Sequence, residues 1–129
     1  MKRLVILLAA VLAFGCSGST TGNGVISPTA LLDRLDDADA PLVVDVRTPG
    51  EFQRGHVPGA VNIPYQQVGA RLSELGELNG RDIVLYCEVG PRAQRAEASL
   101  RAAGVERLYL LEGSMAAWRQ SQLPVEVPR

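Results

Sequence analysis

The ten residues Ile83-Val-Leu-Tyr-Cys87-Glu-Val-Gly-Pro-Arg92 constrain this chain more than any other stretch. Ile83 to Tyr86 form an unbroken apolar run that favours extended backbone, as in a strand buried on both faces. From Arg92 the period changes. Ala93, Ala96, Leu100 and Ala103 recur at helical spacing, and Gly104 stands where a helix would end. The pattern predicts a cysteine at the carboxyl end of a strand, facing the first turn of a helix, where open α/β sheets bind ligands. The unpaired N–H groups of that turn and the helix dipole favour negative charge. A loop curled around the sulfur adds further N–H donors, and Arg92 adds a permanent positive charge. Cys87 is therefore a candidate thiolate nucleophile. The competing reading is a buried, inert cysteine that merely ends an apolar strand.

Cys87-x-x-Gly90-x-Arg92 after a strand resembles the active-site loop of rhodanese-domain sulfurtransferases. Far upstream, Asp45-Val-Arg47-Thr-Pro-Gly-Glu51-Phe52-Gln-Arg-Gly55-His56-Val-Pro58-Gly59-Ala60-Val-Asn62-Ile63-Pro64 resembles the family's amino-terminal signature. Leu111-Glu-Gly113, Trp118 and Leu123-Pro124-Val125 make a third match, so the resemblance spans residues 25 to 127. It implies a three-layer α/β fold: a parallel sheet of about five strands, helices on both faces, and Cys87 at the carboxyl edge. It also implies that Cys87 is catalytic and that Glu88, Val89, Gly90, Pro91 and Arg92 form the substrate-binding loop around the sulfur. Asp45, Arg47, Glu51, His56, Gly59 and Asn62 then belong to the structural signature. By residue type alone, His56, the only histidine, could serve Cys87 as a base. Asp45 could likewise be a catalytic carboxylate or half of an ion pair with Arg47. The resemblance favours scaffold roles for all three.

Residues 1–16 read as an export segment. Lys2 and Arg3 precede an uncharged apolar run from Leu4 to Phe14, well short of the roughly 20 residues a spanning helix needs. Gly15-Cys16 resembles the end of a bacterial lipobox, which implies lipidation of Cys16. Ala13 and Phe14 fit that pattern imperfectly, and simple cleavage is the alternative. Residues 17–24, rich in Ser, Thr and Gly, read as a flexible tether, and residues 25–129 as the folded domain. Without Lys2 and Arg3, eleven basic residues remain against fourteen acids, a net charge of −3. That balance offers nothing to nucleic acid and nothing to anionic lipid. Membrane attachment would depend on the acyl chains, with the domain facing the periplasm. Lipidation would leave Cys87 as the only free thiol, exposed to an oxidising compartment, so a reducing partner protein is also expected.

Within the domain, Val25-Ile26 reads as a short edge strand. Ser27-Pro28 opens a helix whose buried face is Leu31, Leu32, Leu35 and Ala38. Asp33, Asp36, Asp37 and Asp39 read as a solvated face. Leu42 to Val46 is a strand, Glu51 to Arg54 a helical turn, and Ala60 to Ile63 a short strand. Val68, Leu72 and Leu75 predict a helix over 66–75. Asp82 to Tyr86 and Arg107 to Leu111 are strands, and Gly113 to Ser121 is a last helix with Trp118 in the core.

The chemistry implied by the resemblance is double displacement. The Cys87 thiolate takes the outer sulfur of a donor such as thiosulfate, and a thiol or cyanide removes it from the resulting persulfide. The resemblance implies no metal or organic cofactor. Four residues separate Cys87 from Arg92, whereas phosphatase-like relatives of this fold use five, so a single sulfur fits better than a tetrahedral oxyanion. The alternatives are a non-catalytic binding or redox-sensing module and a phosphatase or arsenate reductase. Two departures from the family pattern bear on the loop. Pro91 lacks an N–H, and Glu88 sets a negative charge beside an anion site, which disfavours a dianionic donor. Ser114 and Gln122 replace glycines common in the family, at positions that read as the end of the fold.

Overall fold

The computed structural model describes residues 23–129. The export segment, Cys16 and residues 17–22 of the tether lie outside the described residues. Five strands alternate with four helices: β1 (Asn23–Ile26), α1 (Pro28–Arg34), β2 (Leu42–Asp45), α2 (Pro49–Gln53), β3 (Val61–Asn62), β4 (Ile83–Tyr86), α3 (Pro91–Ala102), β5 (Leu108–Leu111) and α4 (Ser114–Gln120). The sheet is parallel throughout, in the order β1-β5-β4-β2-β3. β4 is therefore central, as its apolar run predicts. After β2 the chain steps outward to β3, then returns to β4 and runs on to β5. The direction reverses between β2 and β4, so the loops leaving these two strands diverge and open a crevice at their carboxyl ends.

Alternation along the strands builds two cores. Ile83 and Leu85 of β4 pack on one face with Val44, Leu108, Ala93, Ala96 and Leu100. Val84 and Tyr86 pack on the other with Val43, Leu31, Leu111, Met115 and Trp118. α3 covers the first face, and α1 and α4 cover the second. All four side chains of β4 are fully buried. At about 1.5–3 kcal/mol per large apolar side chain, this strand is the strongest single contributor to the sheet. Cys87 continues the alternation and joins the α3 face.

Local signals set the element ends. The Ser27 hydroxyl accepts from the Ala30 N–H at 3.2 Å, with Pro28 in the first turn. Thr48 and Glu51 form a reciprocal capping box at the start of α2. Three expectations are corrected. β1 begins at Asn23, so Asn23 and Gly24, read as tether, pair with Leu108 and Tyr109. Ala38 lies beyond α1 and is exposed. Residues 66–75 do not form a continuous helix: turns lead into a 3-10 turn at Leu72–Leu75. Val68 and Leu75 are buried there as their spacing requires. Gly69 in the middle, worth about 1 kcal/mol against helix, leaves too little propagation for an α-helix.

Candidate active site

The β4–α3 loop closes around sulfur. Cys87 is 1% exposed, and its Sγ accepts the Gly90 N–H at 3.0 Å. Aiming that amide inward requires φ of 133° at Gly90, a conformation that only glycine adopts freely. Pro91 then opens α3, where a missing N–H leaves no helical bond unmade. The far side of the cradle comes from the start of α4. Ser114 is buried, and its Oγ accepts the Cys87 N–H at 3.3 Å and lies 3.9 Å from Sγ. The next two amides of α4, Met115 and Ala116, donate to the carbonyls of Cys87 and Glu88, each at 3.0 Å. The loop thus caps α4 while α4 fixes the loop.

The charged residues around the loop pair with each other. Arg92 grips Glu51 with two bonds of 2.8 and 2.9 Å. The bond from Arg92 holds the Glu51 carboxyl well below the usual glutamate range, against opposing burial. The Glu88 carboxylate beside the loop is itself paired: it binds Arg47 at 3.2 Å and also Arg119 on α4. Val89 forms the exposed tip of the loop.

Behind the loop, Asp45 at the end of β2 holds Arg47 through bonds of 2.7 to 3.1 Å. Arg47 also donates to the Gly55 carbonyl at 2.7 Å. Burial works against the Arg47 charge, but the bond to Asp45 and that carboxylate's field outweigh it and raise its pKa. The Tyr86 hydroxyl donates to Asp45 at 2.8 Å and accepts the Val57 N–H at 3.1 Å. Burial, followed by the Asp45 charge, pushes this phenol far up, so it remains a neutral donor. Every member of this buried network has a partner, as buried polar groups require.

The other signature residues brace the loops. Asn62 Nδ2 donates to the carbonyls of Asp45 and Arg47, each at 2.9 Å. Gly59 adopts φ of 76° and donates to Glu126. The His56 ring stacks on Phe52 at 3.6 Å, and its Nδ1 bonds the Phe52 carbonyl. Its side-chain partners are Phe52 and Glu126. Trp118 is fully buried and bonds the Pro124 carbonyl.

Sequence reasoning missed Ser114, which was read as marking the end of the fold and in fact lines the cradle. The signal was a serine at a glycine position. Its φ is 53°, so the backbone there favours glycine, and the serine brings a hydroxyl to the sulfur. Gln122, with φ of 54°, lies in the turn after α4, where its N–H donates to the Arg119 carbonyl at 2.9 Å. Tyr86 and Arg119 were also missed, because pairing across elements leaves no trace in spacing.

Fold and site together define an α/β domain that presents one cysteine in a backbone cradle at the carboxyl edge of a parallel sheet. The chain belongs to the Rhodanese-like domain family, whose profile matches residues 27–121. Among curated proteins, it is 37% identical over 103 residues to a sulfurtransferase of Allochromatium vinosum, covering 80% of this chain and 94% of that protein. It is 33% identical over 93 residues to the Arabidopsis thaliana chloroplastic thiosulfate sulfurtransferase 16, covering 64% of this chain and 78% of that protein. Among solved structures, the Alr3790 protein of Anabaena superposes with a TM-score of 0.73 at 30% identity, covering 80% of this chain and 82% of that one.

Proposed function

We propose that this protein is a rhodanese-type sulfurtransferase that carries sulfane sulfur as a Cys87 persulfide. The observation that carries the reading is the Gly90 amide aimed at Sγ at 3.0 Å, in a chain whose family relatives include named sulfurtransferases. With thiosulfate, the Cys87 thiolate bonds to the outer sulfur and the donor's S–S bond breaks. Sulfite leaves with the electron pair. A thiol or cyanide then attacks the bound outer sulfur, and the Cys87 thiolate departs unchanged. The amide donor favours anionic sulfur in both steps.

Intact mass after incubation with thiosulfate, with Cys87→Ala as control, tests this reading. The expected result is a gain of one sulfur on the wild type, reversed by cyanide and absent in the variant. A wild-type chain that gains sulfur from no donor overturns it. In its place would stand a binding or redox-sensing module, a reading favoured by the 1% exposure of Cys87. We also propose export and lipid anchoring through Cys16, supported by the basic start and apolar run of residues 1–16. Metabolic labelling with a clickable fatty acid should mark the wild type and spare Cys16→Ala. An unlabelled wild type overturns the anchor.

A further inference from the structure

Three arginines reach the residues of the loop, and each is bound to a carboxylate. Arg47 binds Asp45 and Glu88, Arg119 binds Glu88, and Arg92 binds Glu51. Three positive charges meet three negative ones before the thiolate itself is counted. Arg95, one turn further along α3, lies over the Tyr65 ring. Inside the cradle, Gly90 supplies an N–H and Pro91 has none to give. A dianion entering this mouth therefore finds a balanced surface and a thiolate of its own sign.

Arg92 is the exception in how it is held. Arg47 is 1% exposed and locked by several bonds, whereas the Arg92 side chain is 29% exposed and bound through Glu51. It is the second residue of the helix that follows Cys87. Were Glu51 uncharged, Arg92 would be the cation best placed to meet an anionic donor.

We propose that Glu51 is a positioning residue that sets the charge class of the sulfur donor. By neutralising Arg92, it tunes the site to a low-charge persulfide, R–S–SH, in preference to dianionic thiosulfate. This rests on the sulfurtransferase reading and specifies its substrate class. In the favoured step the Cys87 thiolate bonds to the terminal sulfur of R–S–SH, and the S–S bond of the donor breaks. R–S⁻ leaves with the electron pair, and the proton stays on the transferred sulfur. One negative charge enters the step and one leaves it. With thiosulfate, three negative charges must be gathered at the same place. At separations of several ångströms in a partly solvated mouth, one unit of charge changes the encounter with a dianion by about tenfold, with a singly charged donor by about threefold, and with a neutral one hardly at all.

Quenched-flow intact mass measures the second-order rate of sulfur loading on Cys87 from each donor separately, without an acceptor. The donors are thiosulfate and 2-hydroxyethyl persulfide, which carries at most one charge. Wild type should load faster from the persulfide. Glu51→Gln keeps the capping box, since glutamine also serves there, and removes the charge. It should raise the thiosulfate rate by about tenfold and leave the persulfide rate within about threefold. Thr48→Ala weakens the same cap without altering charge and should leave the donor ratio unchanged. A change common to both donors in Glu51→Gln, or the same ratio shift in Thr48→Ala, overturns the assignment to charge and leaves the sulfurtransferase reading standing. Failure of both donors to load either protein overturns both.

Discussion

Serine at position 114 puts a hydroxyl where the backbone prefers glycine. Its φ of 53° carries strain of about 1–2 kcal/mol for a residue with a Cβ, and the hydroxyl it holds lies 3.9 Å from Sγ. Ser114→Ala keeps the strain and loses the hydroxyl, while Ser114→Gly loses both. Persulfide formation on Cys87 should slow about threefold to tenfold in each, the worth of one hydrogen bond. Ser114→Gly should be the more stable of the two by about 1 kcal/mol, as read from urea midpoints. Equal rates in wild type and Ser114→Ala would show that the hydroxyl does nothing for the sulfur. Cys87, Gly90 and Arg92 were legible in the sequence because one strand, one loop and one helix carry them in order. The partner of Arg92 was not, because Glu51 reaches it from 41 residues away.

At the level of elements, the strands were the most legible part. Four consecutive apolar residues in β4 predicted burial on both faces, and both faces are covered. Tyr86 read simply as the last of these. Alternation points it away from the cysteine face, where its hydroxyl joins β2 to the loop before β3 through Asp45 and the Val57 amide. Tyr86→Phe leaves that amide buried without its acceptor. The expected loss is about 1–3 kcal/mol of unfolding free energy, measured by urea denaturation, and an unchanged midpoint would rule out the network as a clasp. Where polar partners lie far apart in sequence, the apolar pattern gives position without function. Residues 66–75 show a related failure: their apolar spacing located the buried side chains, while Gly69 decided the backbone.

For the molecule as a whole, carboxylates at both ends of the sheet are tied to arginines. At the amino end, Asp82 binds Arg107 at 2.6 Å and Arg34 at 3.1 Å. Burial would raise its pKa, but bonds from Arg107 and then Arg34 bring it below the ordinary 3.8. At the carboxyl end, Glu51 lies well below its ordinary 4.5. Both pKa values are depressed by folding, so their contributions are complete above the unfolded values and fade as pH falls through the folded ones. Urea midpoints should therefore decline below about pH 4.5. Asp82→Asn should be less stable at pH 7 and decline less steeply below pH 4. A wild-type midpoint constant from pH 5 to pH 2.5 would contradict this.

The hydrogen bonds from Met115 and Ala116 to the cysteine loop carry a consequence for how the protein is made. A chain grows from its amino end, so Cys87 emerges well before the segment that supplies Ser114 and the two amides behind it. Until that segment arrives, the thiol sits in an open turn with one wall missing. Unfinished chains, and chains clipped before α4, carry the Cys87 loop without those bonds, and they open to solvent a thiol that the finished fold leaves 1% exposed. Shielding of the thiol thus arrives late, with α4, and products that lack this helix should be the ones most readily oxidised.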